Sequence, residues 1–441
     1  MKLTLLLIIF FFLNNCSFDN KSGVWENENS PAIDERIIFK EFKKITTTES
    51  SYNQIIPLKE DFALNLSEAI TNNSWNDIFY SSNNNFINFK YHSLNKIIFK
   101  SKKLTNNLVN INKLYQDGNL IITDDEGNII IFSKDKNRIV KKFNFYKKKF
   151  KKVGKKLNII LQNEVIYVAD NLGYTYAYNY KIDKILWAKN YKIPFSSNLK
   201  IFQNKITVAN QDNNLYILNK NNGNLLKSIP TEETFIKNQF TNNLSAYNGE
   251  RLFYLNSFGS LYSIDLETMS ITWFNNFNKS FDLSPSNLFI GKEIVNTNRE
   301  ILISSNRNTY LINLKNGSIL KKFNFSSSVK PLIIDNIVFF LTNNNFFIAL
   351  NLETKKILFS YDITKIEKIN LKKKEYGNYT QMMILNGDIY IFLKNSKVLI
   401  FEINGKFKEI IKLAAKNYTS PISIDNSILY LNNKNKLIFL N

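Results

Sequence analysis

Residues 163–187 have the sequence NEVIYVADNLGYTYAYNYKIDKILW, in which three short apolar runs are separated by polar turns. The first run ends near Val168, the second covers residues 175–178, and the third covers residues 185–187. Residues 170–173 separate the first two runs, and their Asn and Gly tolerate the positive φ that a hairpin turn needs. The stretch therefore predicts a small antiparallel meander of β-strands.

The same pattern recurs without gaps along the chain. If Gly173 anchors the first hairpin, the equivalent anchors are Gly127, Asn213, Gly259, Arg307, Asn345, Ser396 and Asn435. Neighbouring anchors are 38 to 51 residues apart, which is the period of a four-stranded propeller blade. The units are rich in Ile, Tyr, Phe, Val and Thr, which favours strands over helical pairs. We therefore predict an all-β fold, an eight-bladed β-propeller of four-stranded antiparallel blades.

The last repeat unit lacks an outer strand, because the sequence ends at Asn441. Residues 97–99, within NKIIFK, match the outer strand of the reference unit and have no hairpin of their own before them. We predict that this N-terminal strand pairs with the C-terminal blade and closes the ring. The segment between Trp75 and this strand is predicted to be a plug-like or extended lead-in.

The chain is strongly basic, with a formal net charge of +21 and a pI of about 9.5. Clustered lysines give affinity for phosphate, but here Lys accompanies an excess of Asn, Ile and Phe along the whole chain. We therefore predict no nucleic-acid partner. The densest basic run, residues 147–156, is interpreted as a solvated loop, with attraction to an anionic membrane surface as the alternative.

The N-terminus has the pattern of an export signal. Residues 3–13 are apolar, which is too short for a membrane span but long enough for a signal core. The run ends in Leu13-Asn14-Asn15-Cys16, which resembles the lipobox of bacterial lipoproteins, whose cysteine is acylated; an ordinary signal peptide with a chance cysteine is the alternative. The predicted divisions are a signal peptide (1–15), a lipidated tether and N-terminal extension (16–73) and the propeller (74–441).

Taken together, the lipobox-like start, the lead-in at Trp75 and the repeats resemble the BamB family of outer-membrane assembly lipoproteins over residues 1–441. The blades are similar to the PQQ-like repeat GxLYALD…TGxxLW, which appears here as GYTYAYNYKIDKILW (173–187), NNLYILNKNNGNLLK (213–227) and GSLYSIDLETMSITW (259–273). The resemblance implies a non-enzymatic scaffold without cofactors, lipid-anchored to the periplasmic face of the outer membrane. Its implied partners are the barrel-assembly subunit, nascent outer-membrane proteins and, through the lipid, the membrane.

The resemblance also implies that loops on one face of the propeller dock the partner. The corresponding links here are residues 190–199 and 231–246. They contain an apolar pair and an acidic pair that would form an anchor with a charged rim: Ile193, Phe195, Glu232 and Glu233. Packing of these residues against the blades is the alternative.

PQQ-dependent periplasmic dehydrogenases have the same repeat and are the enzymatic alternative; a generic envelope protein-binding propeller is another. The family's calcium ion takes Glu, Asn and Asp ligands. Here the candidate acids recur at equivalent turn positions, which hairpin chemistry explains: Asp124, Asp125, Asp170, Asp212 and Asp265. His92 is the only histidine, so the sequence excludes a His-based metal cluster. We predict no catalytic, metal-binding or cofactor-binding residue.

Overall fold

The computed structural model describes residues 16–18, 25–27, 53–58, 66–150, 152–232, 243–277, 289, 291–305 and 307–441. The chain divides into two units, Met1–Ser50 and Ser51–Asn441. In the first unit, strand β1 (Cys16–Phe18) pairs antiparallel with β2 (Trp25–Asn27). The predicted signal peptide lies outside the described residues, and acylation of Cys16 stays a prediction.

The second unit contains eight four-stranded antiparallel sheets, which we call blades 1 to 8. Blades 1 to 4 comprise β4 (Val109–Gln116), β5 (Asn119–Asp124), β6 (Asn128–Ser133) and β7 (Arg138–Asn144); β8 (Leu157–Gln162), β9 (Val165–Asp170), β10 (Tyr174–Asn179) and β11 (Lys184–Asn190); β12 (Lys200–Phe202), β13 (Lys205–Ala209), β14 (Leu215–Asn219) and β15 (Leu225–Ile229); β16 (Asn243–Tyr247), β17 (Arg251–Leu255), β18 (Ser260–Asp265) and β19 (Ser270–Asn276).

Blades 5 to 7 comprise β20 (Val295–Asn296), β21 (Glu300–Ser304), β22 (Thr309–Asn313) and β23 (Ile319–Phe323); β24 (Leu332–Ile334), β25 (Ile337–Leu341), β26 (Phe346–Asn351) and β27 (Lys356–Asp362); β28 (Tyr379–Leu385), β29 (Asp388–Leu393), β30 (Lys397–Phe401) and β31 (Phe407–Lys412). Blade 8 comprises β32 (Ile422–Ile424), β33 (Ser427–Leu431), β34 (Lys436–Leu440) and, from the other end of the unit, β3 (Ile97–Lys103). Short 3-10 turns cover Lys148–Phe150, Ile363–Lys365 and Lys373–Glu375.

These sheets confirm the predicted eight-bladed propeller and its closure. Ile97 pairs with Leu440, and Phe99 pairs with Phe439, in antiparallel register. The rings of Phe99 and Phe439 meet edge to face, with their centroids 5.9 Å apart. Strands from both ends of the repeat array form blade 8, so the two ends of the array are joined in one sheet and the ring is closed.

The sequence anchors lie in the hairpins between the second and third strands of the blades. Seven of the eight anchors have a positive φ: Gly127, Gly173, Asn213, Gly259, Asn345, Ser396 and Asn435. The Asp170 carboxylate stabilises one such hairpin, because its Oδ1 accepts hydrogen bonds of 2.8 Å from the backbone N–H groups of Leu172 and Tyr174. Asp124 accepts from the Asn128 N–H in the same way, at 3.0 Å. The repeated Asn, Asp and Gly are therefore turn residues, as predicted.

The aromatic residue that ends the outer-strand motif packs against the next blade. Trp187 of blade 2 donates from its indole Nε1 to the Lys220 carbonyl of blade 3, at 2.8 Å. A Cβ at Gly223 would lie 2.3 Å from the Trp187 ring, so only glycine allows this approach. Trp273 repeats the arrangement between blades 4 and 5, with Leu314 as acceptor and Gly317 beneath the ring. The motif therefore encodes contacts between blades as well as a strand.

The lead-in predicted at Trp75 crosses one end of the central channel. Residues 66–93, here called the plug, form hydrogen bonds with the innermost strand of every blade or with a residue beside that strand. From blade 1 to blade 8 these bonds join Trp75 N to Tyr115 O (2.7 Å), Leu161 N to Asn76 O (2.9 Å), Lys200 Nζ to Asp77 Oδ2 (2.6 Å), Ala246 N to Ser82 O (2.8 Å), Asn296 N to Asn83 O (3.2 Å), Ile333 N to Asn85 Oδ1 (3.1 Å), Phe89 N to Ile384 O (3.2 Å) and Asp425 N to Asn72 O (2.9 Å).

The plug also has an apolar core of its own. The rings of Trp75, Tyr80, Phe86 and Phe89 contact one another with centroids 4.9 to 6.4 Å apart. Trp75 and Phe89 are buried in one apolar cluster with residues of blades 1, 6, 7 and 8. Upstream of the plug, Ile56 exchanges two backbone hydrogen bonds with Ser360 of β27, at 2.8 and 2.9 Å. The contact with the ring thus begins within the segment that the sequence analysis assigned to the tether.

Asn84 is the most highly connected side chain of the plug. It is fully buried, and its φ of 61° places it in the left-handed region that Asn tolerates. Its Nδ2 donates to the carbonyls of Leu244 (2.9 Å) and Ile294 (2.8 Å), and its Oδ1 accepts from Lys200 Nζ (2.6 Å). Leu244 belongs to blade 4, Ile294 to the link into blade 5 and Lys200 to blade 3. A single amide therefore bridges three parts of the ring.

We predict that Asn84→Ala lowers the free energy of unfolding by about 3 kcal/mol, because buried polar groups lose their partners and each such loss costs about 1–3 kcal/mol. Urea denaturation followed by tryptophan fluorescence measures the effect. Asn95→Ala is the matched control, because the half-buried Asn95 amide donates only to the Lys412 carbonyl, at 2.9 Å. Equal stability losses in the two variants would contradict the role given to Asn84.

Candidate functional site

The described parts of the two predicted docking links lie on the face of the ring opposite the plug. Each link leaves the outer strand of one blade and enters the beginning of the next inner strand, whereas the plug contacts the ends of inner strands in blades 1, 2, 7 and 8. On the first link Ile193 is half-buried. Phe195 is only 3% exposed, and its ring packs edge-on against Tyr191 and Tyr216, with centroids 6.0 and 5.9 Å away. Phe195 therefore fastens the link to the blades and leaves Ile193 the more accessible of the pair.

The second link places Glu232 in a polar network. Its carboxylate accepts hydrogen bonds from Ser260 Oγ (2.5 Å), Tyr262 OH (2.7 Å) and Asn256 Nδ2 (2.9 Å). Burial raises the pKa of this carboxyl, but these donors outweigh it and the net pKa is lowered. Glu233 lies outside the described residues. No hydrogen bond or ring contact joins Glu232 to Ile193 or Phe195 within the described part of the chain.

The channel contains a second feature that the sequence analysis did not predict. Two adjoining cavities of about 280 and 640 Å³, together called the central basin, open towards the face that carries the links. Plug residues Ile78 and Phe79 line both cavities, and Trp75 and Phe86 complete the floor of the smaller one. The walls come from the beginnings of inner strands or the links before them, in all eight blades. The plug thus converts an open channel into a closed-bottomed basin.

Lysines dominate the charge of the smaller cavity. Lys113, Lys292 and Lys330 line it, and Glu293 is the one carboxylate among its described lining residues. Lys113 Nζ donates to Thr419 Oγ1 (3.2 Å) and to the Ser420 carbonyl. Lys330 Nζ donates to the Asn84 carbonyl and lies 3.6 Å from the centroid of the Phe86 ring. These lysines come from separate blades or links, so only the closed ring brings them together.

Burial disfavours the charged ammonium forms of Lys113 and Lys330. It lowers the pKa of Lys113 to about 7. It also lowers the pKa of Lys330 to about 7; Glu293 and Asp77 oppose that shift, and Lys200 adds to it. Lys200, in the floor, differs because its ammonium pairs with Asp77 at 2.6 Å; burial still lowers its pKa despite that carboxylate. Sequence analysis missed these residues among 58 Lys and Arg, although a lysine within the inner strand VNINKLYQ is a recognisable signal.

The acidic residues do not form a metal site in the described part of the chain. No three His, Cys, Asp or Glu side chains among the described residues approach closely enough to hold a metal ion. Asp124 and Asp170 accept hydrogen bonds within their own hairpins, and Glu293 lies beside lysines.

His92 and Cys16 are the other residues that the sequence analysis singled out. His92 is exposed at the end of the plug, and its backbone N–H donates to the Asn426 carbonyl at 3.2 Å. Cys16 lies in β1, of which the backbone is described. Within the described ranges, no helix is both long and apolar enough for a membrane span.

We predict that the buried Lys113 makes the stability of the protein depend on pH. Its pKa is about 7 in the folded chain and near 10.5 when unfolded, so between these values the unfolded state binds more protons. The free energy of unfolding should therefore rise with pH from about 7 to 9, by up to about 1.4 kcal/mol per pH unit. Urea denaturation of wild type and Lys113→Met at each pH measures the difference in slope, with the exposed Lys184→Met as control. Parallel slopes for wild type and Lys113→Met would show that Lys113 is not the source.

Comparison with known proteins supports the family suggested by the repeats. A family model described as outer membrane protein assembly factor BamB matches residues 125–361, more than half of the chain. No curated protein matches. Among solved structures, BamB from Moraxella catarrhalis superposes with a TM-score of 0.60 at 13% identity, covering 78% of this chain and 99% of that chain.

Other solved structures share the fold with different functions. The quinohemoprotein alcohol dehydrogenase from Comamonas testosteroni gives a TM-score of 0.59 at 9% identity, covering 84% of this chain and 81% of that one. The computationally designed Ika8 protein gives 0.58 at 8% identity, covering 78% and 99%. At these identities the structural likeness shows the fold alone, whereas the family match extends from blade 1 to blade 6. The chain belongs to the family of outer membrane protein assembly factor BamB.

Proposed function

We propose that this protein is a non-enzymatic scaffold in the assembly of outer-membrane β-barrel proteins. Acylated Cys16 anchors it to the outer membrane, and the propeller lies on the periplasmic side. Its docking face carries the links at residues 190–199 and 231–246, and the partner is the barrel-assembly subunit of the outer-membrane machinery. Nascent outer-membrane proteins are the second class of partner. The observation that carries the proposal is the family match over residues 125–361, which includes both links.

The physical properties of the ring suit a scaffold. Closure by β3, the Trp187 and Trp273 contacts between blades and the plug all restrict movement of one blade against the next. A preorganised surface loses little conformational entropy when a partner binds, so more of the contact energy appears as affinity. Ile193 offers partly exposed apolar area on a link that the buried Phe195 holds in place.

We predict that Ile193→Asp weakens binding of the barrel-assembly subunit by about tenfold or more. The substitution replaces an apolar side chain, which the bound partner would cover, with an unpaired charge. Tagged full-length protein is extracted from its own envelope, and copurified proteins are quantified by mass spectrometry. Ile182→Asp is the matched control, because Ile182 is exposed in the hairpin before β11, at the plug end of blade 2. Equal recovery with both variants would remove Ile193 from the docking face, and recovery of a bound quinone or calcium without the assembly machinery would favour the dehydrogenase alternative.

We predict that Cys16→Ser releases the protein from the membrane, because the acyl chains supply the apolar surface that anchors a lipoprotein in a bilayer. Fractionation of the envelope measures the release, and mass spectrometry of the N-terminal peptide detects the lipid. Cys16 is the only cysteine, so a thioether-linked lipid can come from no other position. Ser17→Ala is the control and should stay in the membrane fraction; a membrane-bound Cys16→Ser protein would disprove the anchor.

A further inference from the structure

Within the described part of the chain, two lysines that line the central basin have fewer hydrogen-bond acceptors than an ammonium group has N–H donors. An ammonium group has three N–H donors. Among the described residues, Lys113 has two oxygen acceptors, and Lys330 has one acceptor and the face of Phe86. Both lysines therefore retain donor capacity inside a cavity, where leaving donors unused is unfavourable. By contrast, Lys200 in the floor has three acceptors: Asp77, Asn84 and the Ser81 carbonyl.

The charges around these two lysines are unbalanced. Lys292 adds a third cation to the lining, and Glu293 is its one described carboxylate. Asp77 is already paired with Lys200 at 2.6 Å. Thr419 and Ser420, which face Lys113 from the link into blade 8, contribute no charge. The smaller cavity thus has an excess of cations, which a bound anion would neutralise.

Apolar and aromatic side chains line part of the basin, between polar ones. Phe79 and Phe86 form part of the floor, and Met382 and Tyr379 belong to the wall. Ile111 lies in the lining of both cavities and is 61% exposed, which is unusual for an isoleucine of an inner strand. A ligand with an apolar body would cover this surface while its charged group contacts the lysines.

We propose that the central basin is a binding site for a small organic oxyanion, a carboxylate or phosphate group on an apolar body, which accepts hydrogen bonds from Lys113 and Lys330. Charge-assisted hydrogen bonds of this kind are stronger than neutral ones. The docking candidates Ile193, Phe195 and Glu232 do not line the basin, although the two links contribute Asn198 and Asn243 to its larger cavity.

The site has a pH dependence that follows from its chemistry. Free Lys113 and Lys330 are only partly protonated near neutral pH, since burial lowers the pKa of each to about 7. A bound anion favours the ammonium form, so binding takes up protons and weakens as the pH rises from about 6 to 8. Glu293, Asp77 and Lys200 are the charged groups that act on Lys330, and their combined effect leaves its pKa near 7.

The test is isothermal titration calorimetry of the full-length protein with phthalate, phenylphosphate and inorganic phosphate at constant ionic strength. We expect saturable one-to-one binding of at least one aromatic anion; the ratio of phthalate to phenylphosphate affinity tells carboxylate from phosphate. Titrations in two buffers of different ionisation enthalpy should show proton uptake. The proposal would be overturned if none of the anions showed saturable binding up to about 10 mM, because weaker binding would not be specific. Equal binding of uncharged benzamide would also overturn it.

Variants localise the site. Lys330→Gln should weaken binding by about tenfold or more, since it removes a charge-assisted donor, whereas Lys330→Arg should retain most of it. Lys184→Gln removes a charge from the exposed outer strand β11 and should change nothing. Equal loss in Lys184→Gln and Lys330→Gln would mean unspecific attraction to a basic protein and would overturn the assignment. The proton uptake of the wild-type protein needs no variant, so the proposal stays testable if Lys330→Gln fails to fold.

Discussion

The architecture depends on the hydrogen bonds between the plug and the inner strands. A propeller blade contacts mainly its two neighbours. In a ring of eight blades, closure alone therefore gives no direct contact between blades that are not adjacent. Here the backbone at Trp75 and the side chain of Asn84 reach across the channel and satisfy groups that would otherwise lie unpaired at the axis. The inner strands are therefore held at a common centre as well as edge by edge.

The plug also distinguishes the two faces of the ring. It occupies the end of the channel where the inner strands of blades 1, 2, 7 and 8 finish, and it leaves the other end as the central basin. The links between blades begin on that open face. The proposed docking surface on the links and the proposed anion site in the basin are consequently neighbours on one face, and the links contribute Asn198 and Asn243 to the larger cavity.

The family assignment and the chemistry of the basin agree with a binding role. Glu232 and Asp170 are occupied by hydrogen bonds within the fold, and the cations of the basin face a single described carboxylate. The shared fold with a quinohemoprotein alcohol dehydrogenase shows how one blade repeat serves different functions. In this chain Lys113, Lys292 and Lys330 line the smaller cavity at the axis.

Sequence alone determined the eight blades, their hairpins and the closing strand, because turn residues and alternating apolar runs are local signals that repeat with the blade. Only the tertiary structure decided that Phe195 is buried beneath Tyr216, and that Lys113 and Lys330 meet in one cavity. Such placements depend on contacts between residues of different blades, far apart in the chain. Ring closure and the plug bring them together, and no local pattern records that geometry.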